Sequence, residues 1–341
     1  MLTLDRLDHL PEALIDIAPA AITDVFPNPT LIHVKGALEP PLFLSTLLHG
    51  NETTSFEVLK TLAKRWSAAA PRRSVFIFVG NVRATAARKR HLPDQPDFNR
   101  IWGPGETPHH RLTAGVLEIA RSAGLFASID IHNNTGRNPL YGCVNALRSE
   151  DLYLAGAFAP IAVYYQNPPT TQSIAFSHFC PAITLECGQP GDKAGYAAAM
   201  ALIDHVMALD AFAATTAPTR LYETVGRVVI QGDAPIAFGD DEENANGCGI
   251  AFRADLEALN FKSVARGAAW ARVGRGAGLR VLDEHGRDIS DQFFTQARGA
   301  ITLKQDVVPA MITRDEAIIR EDCLCYFMRP MRTPEMSSSV E

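Results

Sequence analysis

Apolar runs of strand length recur along the first two thirds of the chain, and each stops at a polar cluster. Pro41-Leu-Phe-Leu-Ser-Thr-Leu-Leu48 runs into His49-Gly-Asn-Glu52. Ser74-Val-Phe-Ile-Phe-Val79 ends at Gly80-Asn81, Phe126-Ala-Ser-Ile-Asp-Ile131 at His132, and Ala182-Ile-Thr-Leu185 at Glu186-Cys-Gly188. Short continuous apolar runs bounded by polar or turn residues predict buried strands. Weaker strand signals lie at residues 31–34 and 161–165. Helical periods separate the strands. Phe56, Leu59, Leu62, Ala63 and Trp66 follow Thr53 and Thr54, either of which can cap that helix. Leu112, Val116, Ile119 and Ala120 place a helix over residues 107–123, and residues 192–212 read as a helix rich in small residues.

Apolar strands alternating with helices predict an α/β domain with a mostly parallel sheet covered on both faces. The composition shifts after Ala213-Ala-Thr-Thr-Ala-Pro-Thr219. Beyond it, short β-like runs at residues 224–230, 268–273 and 278–282 are separated by Gly and Asp. The expected organisation is a catalytic α/β domain over 1–215, a smaller β-rich domain over 216–335 and a loose tail over 336–341.

Composition narrows the function classes. The 341 residues carry a formal net charge of −6, with 47% hydrophobic and 21% charged residues. A mildly acidic chain gives no electrostatic case for nucleic acid, although residues 83–90 hold a local basic patch. No apolar run approaches the roughly 18–20 residues of a membrane span. The first ten residues lack the charged start and apolar centre of a secretory signal, so a cytoplasmic protein is expected. The six cysteines fit no Cys-x-x-Cys framework and read as reduced, packed thiols. The oligomeric state stays open, a homo-oligomer included.

Open α/β sheets bind ligands beyond the carboxyl ends of their strands. His49 and Glu52, His132, and Glu186 all fall there. His49 and Glu52 sit three apart where a strand turns into a helix, with Gly50 between them to allow a tight turn. His132 comes 80 residues after Glu52, as suits a ligand from another strand end. Two His and one Glu form a donor set used by catalytic zinc, with a position left for water. Asp130 points to the same strand face as His132. It either supports the site from behind or is a buried Asp that caps nearby backbone. Glu186 ends an apolar strand, where a carboxylate without a partner is costly. It reads as a general base that passes its proton to a leaving amine, or as a salt-bridge partner of Arg100 or Arg90. Asn99 and Arg100, in a Pro-rich loop, offer amide and guanidinium donors suited to a carboxylate. By themselves they read as solvated surface.

His49-Gly-Asn-Glu52, Asp97-Phe-Asn-Arg100, Asp130-Ile-His-Asn-Asn-Thr-Gly136 and Leu185-Glu-Cys-Gly188 occur in the order seen in the aspartoacylase and succinylglutamate desuccinylase family. That family belongs to the carboxypeptidase A-like zinc hydrolases. The resemblance covers residues 40–190 well. It extends weakly to Asn260-Phe-Lys-Ser-Val-Ala-Arg-Gly267, which is similar to a segment of the family's β domain. It implies a carboxypeptidase-like sheet flanked by helices, with an appended β domain that narrows access to the site. It also implies one zinc per chain on His49, Glu52 and His132, with Glu186 as catalytic glutamate and Asn99 and Arg100 as carboxylate binders. Arg90, with Arg88 as the alternative, would polarise the scissile carbonyl. Two positions depart from aspartoacylase. Gln172 stands where an additional arginine holds the side-chain carboxylate of N-acetylaspartate. Ile312 stands where a substrate-binding tyrosine is expected, and no tyrosine occurs between Tyr222 and Tyr326. The substrate class this implies carries one carboxylate or a differently shaped acyl group.

The leading expectation is a zinc-dependent amidohydrolase acting on a small acylated substrate. A metallocarboxypeptidase or esterase is the second, and a metal- or metabolite-binding protein without catalysis the third.

Overall fold

A computed structural model describes residues 2–212, 217–239, 249–274 and 276–332. The boundary expected near residue 216, Cys248 and the expected tail over 336–341 lie outside the described residues. The chain divides into two compact units. One holds Met1–Asn133 and Leu140–Leu221, the other Asn134–Pro139 and Tyr222–Arg332.

The first unit is a mixed sheet with helices. Its strands are β1 (Asp5–Leu7), β2 (Thr30–Val34), β3 (Leu38–Thr46), β4 (Arg73–Val79), β5 (Ala127–His132), β6 (Tyr141–Val144), β7 (Ile161–Tyr164) and β8 (Ala182–Glu186). They run in the order β1-β2-β4-β3-β5-β8-β6-β7. The central four, β4-β3-β5-β8, are parallel to one another, while β2 and β6 join antiparallel. The helices are α1 (Ile22–Val25), α2 (Thr54–Ala68), α3 (Val82–Ala87), α4 (Pro108–Ala123), α5 (Ser149–Phe158), α6 (Gln172–Ser177) and α7 (Lys193–Ala208).

The mostly apolar strands make sense because both sheet faces are covered. Register puts Phe43, Phe76, Ser128 and Ala182 on one face. There Phe43 and Phe76 pack with Phe98, Trp102, Leu112, Val116 and Phe176. The polar strand-end residues Asp130, His132, Thr184 and Glu186 share that face by alternation.

Caps fix the helix starts. Thr107 accepts from His110 N and opens α4, and Asp192 accepts from Ala194 N and opens α7. α7 stops at Ala208, short of the expected residue 212. Thr53 occupies the N-cap of α2 but makes no side-chain cap bond. Asn133 Oδ1 accepts from Thr54 N instead, at 3.0 Å, so the helix start is tied to the end of β5.

The second unit is β-rich. β9 (Arg220–Gln231), β13 (Gly278–Leu282), β16 (Val308–Ala310) and β17 (Cys325–Met331) lie in the order β13-β9-β17-β16. A five-stranded sheet orders β10 (Ile236–Phe238), β11 (Ile250–Phe252), β12 (Ala269–Val273), β15 (Ala300–Leu303) and β14 (Phe294–Ala297) as β10-β11-β12-β15-β14. Their core gathers Trp270, Phe293 and Phe294 around Phe327. Asn260 staples two chain segments within this unit. Its Nδ2 donates to Arg137 O and Ile312 O, and its Oδ1 accepts from Ile312 N at 2.9 Å. Gly136 is required there, since a Cβ would sit 1.9 Å from Ile312 O. Ile312 itself is fully buried in the core of this unit. The five described cysteines are buried.

Candidate metal centre

β3 delivers His49 and Glu52 through a strained exit. Leu47 adopts a left-handed φ of 55°, a conformation that costs a non-glycine residue energy and clusters at functional sites. Gly50 is needed for a different reason from the turn expected of it. Its φ is not positive; a Cβ would lie 2.1 Å from the Ala84 backbone. The absence of a side chain lets α3 pack directly against the turn.

The two imidazoles converge on one carboxylate. His49 Nδ1 lies 2.7 Å from Glu52 Oε1, and His132 Nδ1 lies 2.8 Å from Glu52 Oε2. Asn133 N donates to Glu52 Oε2 at 3.0 Å, which fixes the plane of the carboxylate. One ligand atom from each of His49, Glu52 and His132 lies within 4.8 Å of the others, and all three side chains are buried.

The far nitrogens of both rings are held by carboxylates. His132 Nε2 is 2.9 Å from Asp130 Oδ2, and His49 Nε2 is 2.9 Å from Asp97 Oδ1. A carboxylate on the outer nitrogen orients a ligating imidazole and raises its basicity. With Nε2 engaged, Nδ1 is the atom each ring turns toward Glu52. The residues therefore fit a cation. Arg90 and Arg100 counter Asp97, and Arg90 also acts on Glu186.

Asp97 had no role in the sequence reading. It accepts from Asn99 N at 2.7 Å, and both Arg90 Nε and a terminal Arg90 nitrogen donate to its Oδ2, at 3.1 and 2.9 Å. A signal for it lies in the sequence: two histidines offered to one metal would call for two outer carboxylates, and Asp130 can serve only one. Asn133 was also missed. Its Nδ2 donates to Thr54 Oγ1 and Gly188 O, tying together the ends of β5 and β8 and the start of α2.

Arg90 is half-buried, with a terminal nitrogen 3.9 Å from Glu52 Oε1. Arg88 is exposed at the left-handed C-cap of α3. Asn99 is buried; its Nδ2 lies 3.4 Å from His132 Nε2 and its Oδ1 accepts from Gln172 N at 2.9 Å. Arg100 donates to Asn99 O and lies close enough to Asp97 to lower its carboxyl. Gln172 is placed differently from a substrate contact. It is fully buried, and its Nε2 donates to Ser128 Oγ at 3.0 Å. It reaches the site only through its main chain, which holds Asn99.

Glu186 stands beside His132 in register on β8 and beside Tyr141 on β6. Burial pushes its carboxyl up to about 8; Glu52 and Asp130 add to the rise, while His132 and Arg90 oppose it. Burial also opposes ionisation of Glu52, but His49 and His132 outweigh it and hold that carboxyl well below the usual range. Burial disfavours charge on His132 too, yet Asp130 and Glu52 raise its value well above the ordinary one. The site thus pairs one carboxylate kept ionised with another kept ready to hold a proton.

Residues 39–206 match the family model described as the succinylglutamate desuccinylase/aspartoacylase catalytic domain. Over this stretch the chain belongs to that family. Solved structures share the fold. A succinylglutamate desuccinylase from Vibrio parahaemolyticus is 14% identical with a TM-score of 0.60, covering 89% of this chain and 86% of its own. A succinylglutamate desuccinylase/aspartoacylase from Rhodobacter sphaeroides is 15% identical with a TM-score of 0.56, covering 88% of each chain. Murine aminoacylase 3 is 14% identical with a TM-score of 0.54, covering 86% of this chain and 97% of its own. Among curated proteins, no sequence matches the chain significantly. Among the described residues, no helix is long and apolar enough to cross a membrane.

Proposed function

We propose that this protein is a zinc-dependent amidohydrolase that cleaves a small, carboxylate-bearing N-acyl amino acid or related amide. The observation that carries the reading is the convergence of two carboxylate-anchored imidazoles on Glu52, with Glu186 in register beside His132. His49, Glu52 and His132 would hold one zinc per chain. Zinc there would supply a hydroxide nucleophile at neutral pH and polarise the scissile carbonyl.

The side chains divide the remaining work. Glu186 takes the proton released as water attacks and delivers it to the leaving nitrogen. Its raised carboxyl suits both halves of that transfer, because an acid-base group works best when its pKa lies near the working pH. Arg90 offers its guanidinium to the oxygen that becomes negative in the transition state. Asp97 restrains Arg90 and His49 together, so the two cannot drift apart. Asn99 and Arg100 bind the substrate carboxylate, and Gln172 supports Asn99 from behind. A neutral Gln172, turned toward Ser128, supports a substrate with one carboxylate rather than two.

The test is Glu186→Gln in the zinc-loaded enzyme, assayed on N-acyl amino acids alongside C-terminal peptides and esters. The variant keeps its zinc and loses about 10²–10⁴-fold in kcat. Retained turnover would sink the role given to Glu186, and faster cleavage of peptides or esters would replace the amidohydrolase reading.

A further inference from the structure

One pleat below His132 and Glu186, on the same sheet face, lies a second polar row. Parallel register sets Ser45, Asp130 and Thr184 side by side on β3, β5 and β8. All three are buried. Each carries a buried oxygen that no protein group reaches by a hydrogen bond: Ser45 Oγ, Asp130 Oδ1 and Thr184 Oγ1. Gln172 Oε1 is a fourth, on the side chain whose Nε2 donates to Ser128 Oγ. The other oxygen of Asp130 is the one that holds His132 Nε2.

A buried polar atom left unsatisfied costs roughly 1–3 kcal/mol, and native proteins keep few of them. Ser45 and Thr184 flank the Asp130 carboxylate in register, and the three together mark a shared need. The hydroxyls of Ser45 and Thr184 can donate, whereas Asp130 Oδ1 can only accept. Neighbouring strands lie about 4.8 Å apart, a spacing that an ordered water bridges. Internal waters make about three hydrogen bonds each and sit where such groups converge.

We infer that Ser45 and Thr184 are positioning residues for the metal centre, acting through internal water on Asp130 Oδ1. Asp130 held at one oxygen turns about its terminal torsion, which has a broad profile. Held at both, it keeps Oδ2 on His132 Nε2. That contact pins the proton to Nε2 and leaves Nδ1 as the lone-pair donor aimed at the cation. The inference rests on His132 as a metal ligand. It adds that the row beneath, with no ligand contact of its own, sets how firmly that ligand is aimed.

The experiment uses the full chain carrying Thr184→Val, Thr184→Ser or Ser45→Ala, with Asp130→Asn as reference. In the metal-free protein, the downfield Nε2 proton of His132 is followed by NMR for exchange with water. Zinc affinity and thermal unfolding are measured alongside. Thr184→Val and Ser45→Ala speed the exchange at least tenfold and weaken zinc about tenfold, the effect expected of an outer partner. Thr184→Ser restores both. Thermal unfolding separates the roles: a merely structural Thr184 would lower Tm without moving the proton. If His132→Ala still binds stoichiometric zinc, the assignment of His132 as ligand fails; if Asp130→Asn leaves zinc affinity unchanged, the positioning role through Asp130 is overturned. If Asp130→Asn weakens zinc while Thr184→Val and Ser45→Ala change exchange and affinity by less than twofold, the positioning role is overturned. A high-resolution crystal structure is the independent check: ordered water on Asp130 Oδ1 supports the role, and direct packing of carbon against that oxygen overturns it.

Discussion

The two units bury different things. In the α/β unit His49, Glu52, Asp130, His132 and Glu186 are all buried, gathered at neighbouring strand ends. Among the described residues of the β-rich unit, the buried polar side chains are Asn134, Asn260 and Thr313, none of them charged. Its charges stand outside in pairs such as Arg280–Asp288 and Arg253–Asp255. Exposed pairs of this kind contribute roughly 0–1 kcal/mol, and burying an ion without a partner costs far more. The β-rich unit is thus held by apolar packing, while the α/β unit spends stability on a concentration of charge.

Burial of a charge is not itself the mark of a site. Arg73 is buried too, but its guanidinium donates to Pro40 O and Leu209 O and lies 3.8 Å over Phe126. Asp151 pairs with Arg148 and accepts from Ala182 N. Those two groups tie segments of backbone. The strand-end groups turn toward one another instead, in an arrangement that could hold a metal ion.

The sharpest way to break this contrast is Glu52→Ala. It removes the carboxylate both imidazoles face, so bound zinc falls from about one per chain to background and turnover goes with it. Zinc content after metal-replete growth reads the result; a variant that still binds stoichiometric zinc would place the metal elsewhere. Trp270→Ala probes the other unit. Removing the side chain that packs on Phe327 lowers the unfolding free energy by about 3–5 kcal/mol, while zinc per folded chain stays near one. Denaturant titration with metal analysis separates the two effects.

The pH dependence of stability is the next largest effect. The Glu186 carboxyl rises from 4.5 to about 8 in the folded chain. The folded state therefore holds this proton more tightly than the unfolded state. Its contribution is complete below about pH 4.5 and is lost as pH rises through about 8. In chelator, the wild type loses on the order of a few kcal/mol relative to Glu186→Gln across that window. Parallel urea midpoints for the two proteins would contradict the burial of an ionisable Glu186. Asp97→Asn is the mildest. It weakens the hold on His49 Nε2 and costs about 10–100-fold in zinc affinity, as loss of an outer partner does. Isothermal titration measures it, and an unchanged affinity would make Asp97 a loop anchor alone.

Local chemistry made some of the site legible. His49 and Glu52 are three residues apart at a strand exit, and Asp130 and His132 alternate onto one strand face. Neither relation needs a distant partner. Apolar runs likewise marked β3, β4, β5 and β8 to within a few residues. α5 and α6 escaped. α5 buries Asp151, Leu152, Tyr153, Leu154 and Ala155 in succession, so no one-sided stripe betrays it. β6 is only Tyr141–Val144 and carries no recognisable end signal.

What the sequence by itself determined is which residues can bind a cation and which strand ends present them, because side-chain alternation and turn chemistry are local properties of the chain. The tertiary structure decided the rest. Folding brought Asp97 onto His49 from 48 residues away, turned Gln172 toward Ser128 and aligned Ser45, Asp130 and Thr184 across three strands. Those relations depend on strand order and register, which are set by the packing of whole elements against one another and leave no mark in any one segment.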